Sequence, residues 1–183
     1  MKNVSQHLRT VLRRPRLRGF TLIEILVVVV ILGIMSAVIL PQLGTRDDLS
    51  AASAARTLMA DLLYAQNRAI TLQQYHYIVF DTTNKKYTIY TGTSAGPTTV
   101  IPHPLTNANY QQVFGVAPLT KVSFGTVSFD GQTTLGFDEL GVPYSYSAST
   151  GKAVLNAGSV VVQCNANKMT LTIKPYSGEI LIQ

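Results

Sequence analysis

Residues 20–40 read FTLIEILVVVVILGIMSAVIL, an apolar run of 21 residues that holds a single charge, Glu24. At about 1.5 Å per residue a helix of that length reaches about 31 Å, enough to cross a hydrocarbon layer of about 30 Å. A first element of this kind has no solution in water on its own, so a fold buried wholly among polar surfaces is excluded. Residues 1–18 hold Lys2, Arg9, Arg13, Arg14, Arg16 and Arg18 and no acid. Such a basic flank stays on the cytoplasmic side, and the flank beyond Pro41 is mixed (Arg46, Asp47, Asp48) and does not compete with it. The run is therefore expected to be a single membrane-spanning helix, with the bulk of the chain on the far side.

Two simpler readings fall short. A cleaved secretory signal has an apolar core of about 7–15 residues and a small-x-small site after it. This core is longer, and Pro41-Gln42-Leu43-Gly44 is a poor cleavage site. A plain signal anchor fits the length and leaves Glu24 unexplained, one turn inside the run. An acid at the centre of such a helix costs about 2.5–3.5 kcal/mol, less near an end, and a residue kept at that cost calls for a partner.

The segment Arg18-Gly19-Phe20-Thr21-Leu22-Ile23-Glu24 resembles the processing site of type IV prepilins and pseudopilins. The resemblance implies that a membrane-embedded prepilin peptidase cuts after Gly19 and N-methylates Phe20. It implies that Glu24 serves assembly and that Pro41 sits where many pilins kink their long helix. It implies as partners the peptidase, other pilins or pseudopilins in a filament, and an inner-membrane assembly platform. The physical chemistry agrees. Cleavage frees an α-amine at the membrane surface, and a carboxylate one turn along can meet the amine of an axially shifted neighbour in a low-dielectric setting.

The formal charge of +6 and pI near 9.6 invite a nucleic-acid role. Six of the 15 basic groups lie in residues 1–18, leaving 15 − 6 = 9 against 9 acids from Gly19 onward. A chain with no net field has a small counterion-release term, so nucleic acid is not an expected partner. Some FimT-type pilins, a group this chain resembles, bind DNA through a C-terminal Gly-Arg-x-Arg motif. The matching stretch here is Ser177-Gly178-Glu179-Ile180, with an acid where the first arginine would sit and only Lys168 and Lys174 nearby.

After the apolar run, Pro41 should kink or interrupt the helix, and Thr45-Arg46-Asp47-Asp48 has capping-box spacing that restarts it. Leu58, Leu62, Ala65, Ala69 and Leu72 then recur at helical spacing to about Gln73, a stripe that needs a covering layer. From Gln74 the period becomes alternating. Residues 75–80 and 86–91 form a hairpin, 92–109 a long loop, and further strands fall near 112–116, 121–129 and 134–137, with a turn at 138–142. A final strand pair, 158–164 and 168–174, precedes a last strand at 179–183. The expected fold is α+β: a long N-terminal helix, membrane-spanning in its first half and amphipathic in its second, packed on an antiparallel β-sandwich-like C-terminal domain. This order of elements resembles the GspH/FimT-type minor pseudopilins, so the fold is expected to be pilin-like. The implied organisation is a leader at 1–19, a transmembrane helix at 20–40, an amphipathic continuation at 41–73 and a periplasmic β-rich domain at 74–183.

Specific chemistry is sparse. His7, His76 and His103 have no metal-ligand spacing, and no nucleophile elbow, phosphate loop or carboxylate pair supports catalysis, so neither enzyme activity nor a cofactor or metal is expected. Asp130, Asp138 and Glu139 could offer oxygens to calcium but read more simply as turns. Cys164, the sole cysteine, reads as a buried inert thiol. The expected role is that of a minor pseudopilin of type II secretion, in the inner membrane and then in a periplasmic pseudopilus. The alternatives are a minor pilin of a type IV pilus and, third, a solitary membrane-anchored binding domain that is not cleaved at Gly19.

Overall fold

The computed structural model describes residues 19–42 and 47–183, with side chains described up to Ala37 in the first segment. Two compact units divide the chain, Met1–Gly44 and Thr45–Gln183. In the first, helix α1 (Leu22–Gln42) follows an unwound stretch at 19–21. Its described apolar side chains are all exposed, and they occupy every side of the helix. Such a helix is stable only where lipid or other apolar chains surround it. Ser36 turns its hydroxyl back to the Leu32 carbonyl at 2.7 Å, which satisfies one polar side chain inside the apolar run. Among the described residues no helix is long and apolar enough to cross a membrane; residues 38–40 complete the run in sequence.

In the second unit, helix α2 (Asp47–Leu72) supplies the inner wall. Ala51, Ala54, Ala55, Leu58, Leu62, Ala65 and Ala69 are fully buried or nearly so. Alanine at five of the seven positions brings the helix axis close to the sheets, while Leu58 and Leu62 fill the space between. Truncating either leucine to alanine would cost about 2–5 kcal/mol. Leu72, expected in the stripe, is 46% exposed. Leu72 is the last residue of the helix, which is closed by the Gln74 N–H on the Ala69 carbonyl at 3.2 Å and by Gln73 in the left-handed region at φ 50°.

Eleven antiparallel strands follow, in two sheets. The first has the order β3 (Gly96–Val100), β2 (Lys86–Thr93), β1 (Tyr75–Asp81), β6 (Thr134–Phe137), β7 (Pro143–Ser147), β8 (Gly151–Val154), with β4 (Gln111–Val113) also on β2. The second runs β11 (Ile180–Ile182), β10 (Asn167–Ile173), β9 (Gly158–Cys164), β5 (Val122–Phe129). Strand β9 shows the alternation clearly: Gly158, Val160, Val162 and Cys164 point inward and their neighbours outward. The sheets meet through aromatic rings, Phe80 of β1 lying 5.6 Å from both Phe124 and Phe129 of β5. Helix α2 packs on strands of both sheets. The architecture is the α+β pilin fold.

Three expectations change. Residues 92–109 are not one long loop, because β2 continues to Thr93 and β3 returns along it, with a bulge between Thr91 and Gly92. Gly96 turns the chain at φ 139°, and Pro97 is tolerated because β3 lies on an edge. A further bridge joins Pro102 and Asn109. Strands β7 and β8 carry no strong alternation of their own in the sequence; β7 begins at Pro143 and is built of Tyr and Ser. The strand expected at 112–116 is shorter, ending at Val113.

Candidate processing and assembly site

The Gly19–Phe20 bond lies ahead of helix α1 on exposed, non-helical backbone, with the Phe20 side chain 78% exposed. Helix α1 starts from a reciprocal cap. The Glu24 N–H donates to Thr21 Oγ1 at 3.2 Å, and the Thr21 N–H donates to Glu24 Oε2 at 3.4 Å. This is a capping box, in which threonine at the N-cap and glutamate three residues on satisfy each other's amides. The carboxylate also lies at the positive end of the helix dipole, a contribution of about 0.3–1 kcal/mol. One carboxylate oxygen, Oε1, has no hydrogen bond among the described residues, so Glu24 can cap its own helix and still accept from a second donor. Sequence reasoning had not foreseen the cap, although Thr21-Leu22-Ile23-Glu24 carries the signal in the same form it recognised at Thr45–Asp48.

Helix α1 runs through Pro41 to Gln42. The helix is thus not interrupted at Pro41 itself, and the Thr45 end of the expected capping box lies outside the described residues. The leader at 1–18, with His7, lies outside them as well.

Asp130, Asp138, Cys164, Lys174 and Glu179, also singled out in the sequence, have structural partners. The Asp130 carboxylate accepts the Asn156 and Ala157 N–H groups at 2.9 and 3.0 Å, and Asp138 accepts those of Leu140 and Val142 at 3.0 and 2.9 Å. Both acids are thereby committed to turns. Cys164 is buried, its thiol directed at Asp47 Oδ1 at 3.6 Å, and burial followed by the Asp47 charge raises its pKa. Asp47 itself is held below its ordinary value, chiefly by the Asn165 amide. At the C-terminal turn Glu179 pairs with Lys174 at 3.0 Å, neutralising a cation that a polyanion would need.

His76 is fully buried on β1, with Nδ1 3.0 Å from the Gln74 carbonyl, and burial lowers its pKa. His103 packs against Tyr110 with ring centroids 4.7 Å apart and the ring planes tilted by 40°. Beneath that pair lies a group the sequence did not mark. Asp61 on α2 accepts the hydroxyls of Tyr87, on β2, and Tyr110, the latter at 2.9 Å. Burial raises the Asp61 pKa, and the two hydroxyls and His103 oppose that rise only in part. An acid one residue from buried Leu62 was the available signal.

Residues 14–40 match the family described as the prokaryotic N-terminal methylation motif. Type II secretion system core protein G of Pseudomonas aeruginosa is 57% identical over 37 residues, 20% of this chain and 26% of its own. The chain thus spans about a quarter of that curated relative. The minor pseudopilin EpsH from the Type 2 Secretion System of Vibrio cholerae superposes with a TM-score of 0.51 at 13% identity, over 73% of this chain and 96% of its own. The type IV minor pilin FimU of Pseudomonas aeruginosa gives 0.47 at 19% identity, over 72% and 91%.

Proposed function

We propose that this chain, a type IV pilin-like protein with a prepilin methylation motif ahead of a pilin-fold domain, is a minor pseudopilin of a type II secretion system. Prepilin peptidase cuts after Gly19 and methylates Phe20. Residues 1–19 are the leader, 20–40 span the inner membrane with the N-terminus cytoplasmic, 41–73 continue as the amphipathic helix past a kink at Pro41, and 74–183 form the periplasmic domain. On the assembly platform the chain joins other pseudopilins in a short filament that moves folded proteins outward.

The observation that carries this reading is Glu24, the only charge on α1, seated in the first turn of a helix whose described apolar side chains have no covering layer in their own unit. The filament supplies that layer. Its unengaged Oε1 accepts the methylated ammonium of a neighbouring copy's Phe20, and in a dry filament core this charge-assisted contact fixes the axial stagger. The same helix is stable in lipid before assembly and among other helices afterwards, so the transfer between the two exchanges one apolar environment for another.

Mass spectrometry of the protein from cells with an active prepilin peptidase tests the processing: the polypeptide begins at Phe20 and is one methyl group heavier. A native chain that still begins at Met1 overturns the proposal. Deleting the gene separates the two machineries. Loss of protein export with surface motility intact supports type II secretion, and the reverse outcome transfers the chain to a type IV pilus.

A further inference from the structure

The two segments that the sequence marks by exposure alone, 92–109 and 138–142, meet in one place. Gln73 and Gln74 after α2, Tyr75 at the start of β1, Thr91 and Ser94 around the end of β2, and Glu139 in the β6–β7 turn line a single cleft of about 510 Å³. That volume is within the range of small-ligand sites. The side chains of Gln73, Gln74, Thr91, Ser94 and Glu139 make no hydrogen bond or ion pair among the described residues. Two amides, two hydroxyls and a carboxylate from three separate segments therefore line one cleft with their donors and acceptors unspent.

The walls are set in advance. Gln73 occupies the left-handed position that ends α2, at φ 50°, where glycine or asparagine is the usual and less strained residue. The chain keeps a long amide there instead. The floor at Gly92 is bare backbone, because a Cβ would run into the Gly96 carbonyl oxygen and the Tyr77 ring. Tyr75 is fixed by the edge of Tyr144, with centroids 6.0 Å apart at 74°, and by Lys152, whose Nζ lies 5.0 Å from the ring centroid and 3.4 Å from the hydroxyl.

The composition of the lining selects the ligand. No lysine or arginine lines the cleft, and the neighbouring Lys152 is engaged on the rings of Tyr75 and Tyr144, so a phosphate or a nucleic acid finds no counter-charge. An apolar ligand would leave the amides and hydroxyls unpaired on contact. A polyhydroxylated ring meets both demands: its C–H face lies on the tyrosine, and its adjacent hydroxyls pair with amides that both donate and accept and with a carboxylate that accepts. We propose that this cleft is a binding site for a neutral carbohydrate, a function independent of processing at Gly19 and of filament assembly.

The test uses the full chain in a detergent without a sugar headgroup, titrated with chito-, malto- and cello-oligosaccharides and followed by calorimetry and by NMR shifts of the glutamine side-chain amides. Saturable binding of at least one of the three, weakened about tenfold or more by Gln74→Ala combined with Glu139→Ala at unchanged melting temperature, is the expected result. Both substituted residues are exposed and uncommitted, so the variant folds as the parent does. Absence of saturable binding to all three at millimolar concentration overturns the assignment, as does binding that the double variant leaves unchanged. Inorganic phosphate and a short oligonucleotide serve as controls, and saturable displacement of the sugar by either also overturns it.

Discussion

Replacing Glu24 by glutamine separates the two demands placed on its carboxylate, because a glutamine at the third position still closes a capping box with Thr21 but carries no charge. Glu24→Gln is expected to keep the start of α1 and to be processed normally, yet to enter the filament as poorly as Glu24→Ala. The alanine variant additionally loses the glutamate half of the box, the bond from the Thr21 N–H, while Thr21 Oγ1 still accepts the backbone N–H of residue 24. Circular dichroism in micelles, the mass of the mature N-terminus and the amount recovered in sheared filaments give the three readouts; wild-type incorporation of the glutamine variant would show that the charge is dispensable. In the second unit Asp61 and His76 bias stability in opposite directions. Burial raises the Asp61 pKa above its unfolded value of 3.8, so the folded state holds that proton more tightly and stability is lost as pH rises through the folded pKa. Burial lowers the His76 pKa below 6.5, so stability is full above that value and falls as pH drops through the window beneath it. Asp61→Asn should flatten the first limb and His76→Gln the second in denaturant midpoints taken from pH 4 to 8. An asparagine at 61 still pairs with both tyrosine hydroxyls, one as acceptor and one as donor. An unchanged pH profile in both variants would show that neither group is coupled to folding.

Helix α2 is tied to both sheets at its C-terminal end by one side chain. Gln66 Nε2 donates to the Gly141 carbonyl at 3.0 Å and to the Ser177 carbonyl at 3.4 Å, joining the β6–β7 turn to the β10–β11 turn. Gly141, at φ 80°, has Ile70 against it so closely that a methyl group would force Ile70 aside. Gln66→Ala is expected to lower stability by about 1–3 kcal/mol through the carbonyls it strands, and Gly141→Ala by a comparable amount through backbone strain and crowding, both read as shifts in thermal midpoint. A midpoint unmoved by Gln66→Ala would place the strength of this junction elsewhere. The elements joined here were unequally visible in the chain. The turn at 138–142 was legible because Asp138 and Gly141 are turn residues with a local mechanism, and the pair β9–β10 because the β-branched run Val160-Val161-Val162 lies just before the turn-forming Asn165-Ala166-Asn167. Strands β7 and β8 were not, since Pro143-Tyr-Ser-Tyr-Ser lacks the β-branched run that marks a strand. Their pairing comes from outside, with Tyr144 seated over Gly136 of β6, where a side chain would meet the ring. That is tertiary context overriding local pattern.

At the scale of the molecule the same contrast separates the two sites. The processing segment could be found in the sequence because its chemistry is contiguous, from Arg18 to Glu24, whereas the cleft beside Tyr75 is assembled from three segments that only the topology brings together. Charge is the property by which the whole chain can be tested. Six of its 15 basic groups precede Gly19, so a chain that begins at Phe20 carries nine basic groups against nine acids. Of those nine, Lys174 is paired with Glu179, Lys121 with Asp47, and Lys152 sits on tyrosine rings. Counterion release scales with the number of phosphates neutralised, so the processed and unprocessed forms should differ sharply toward a polyanion. The unprocessed chain in detergent is expected to retard duplex DNA at low salt through its leader, with an affinity that falls steeply as salt rises, the slope being about −0.9 per phosphate contacted. The processed chain should leave the DNA unshifted at the same salt. Gel mobility of both forms across a salt series decides it: a salt-sensitive shift by the processed chain would mean that the β-rich domain gathers its remaining cations on one face, and would restore nucleic acid as a partner of the mature protein.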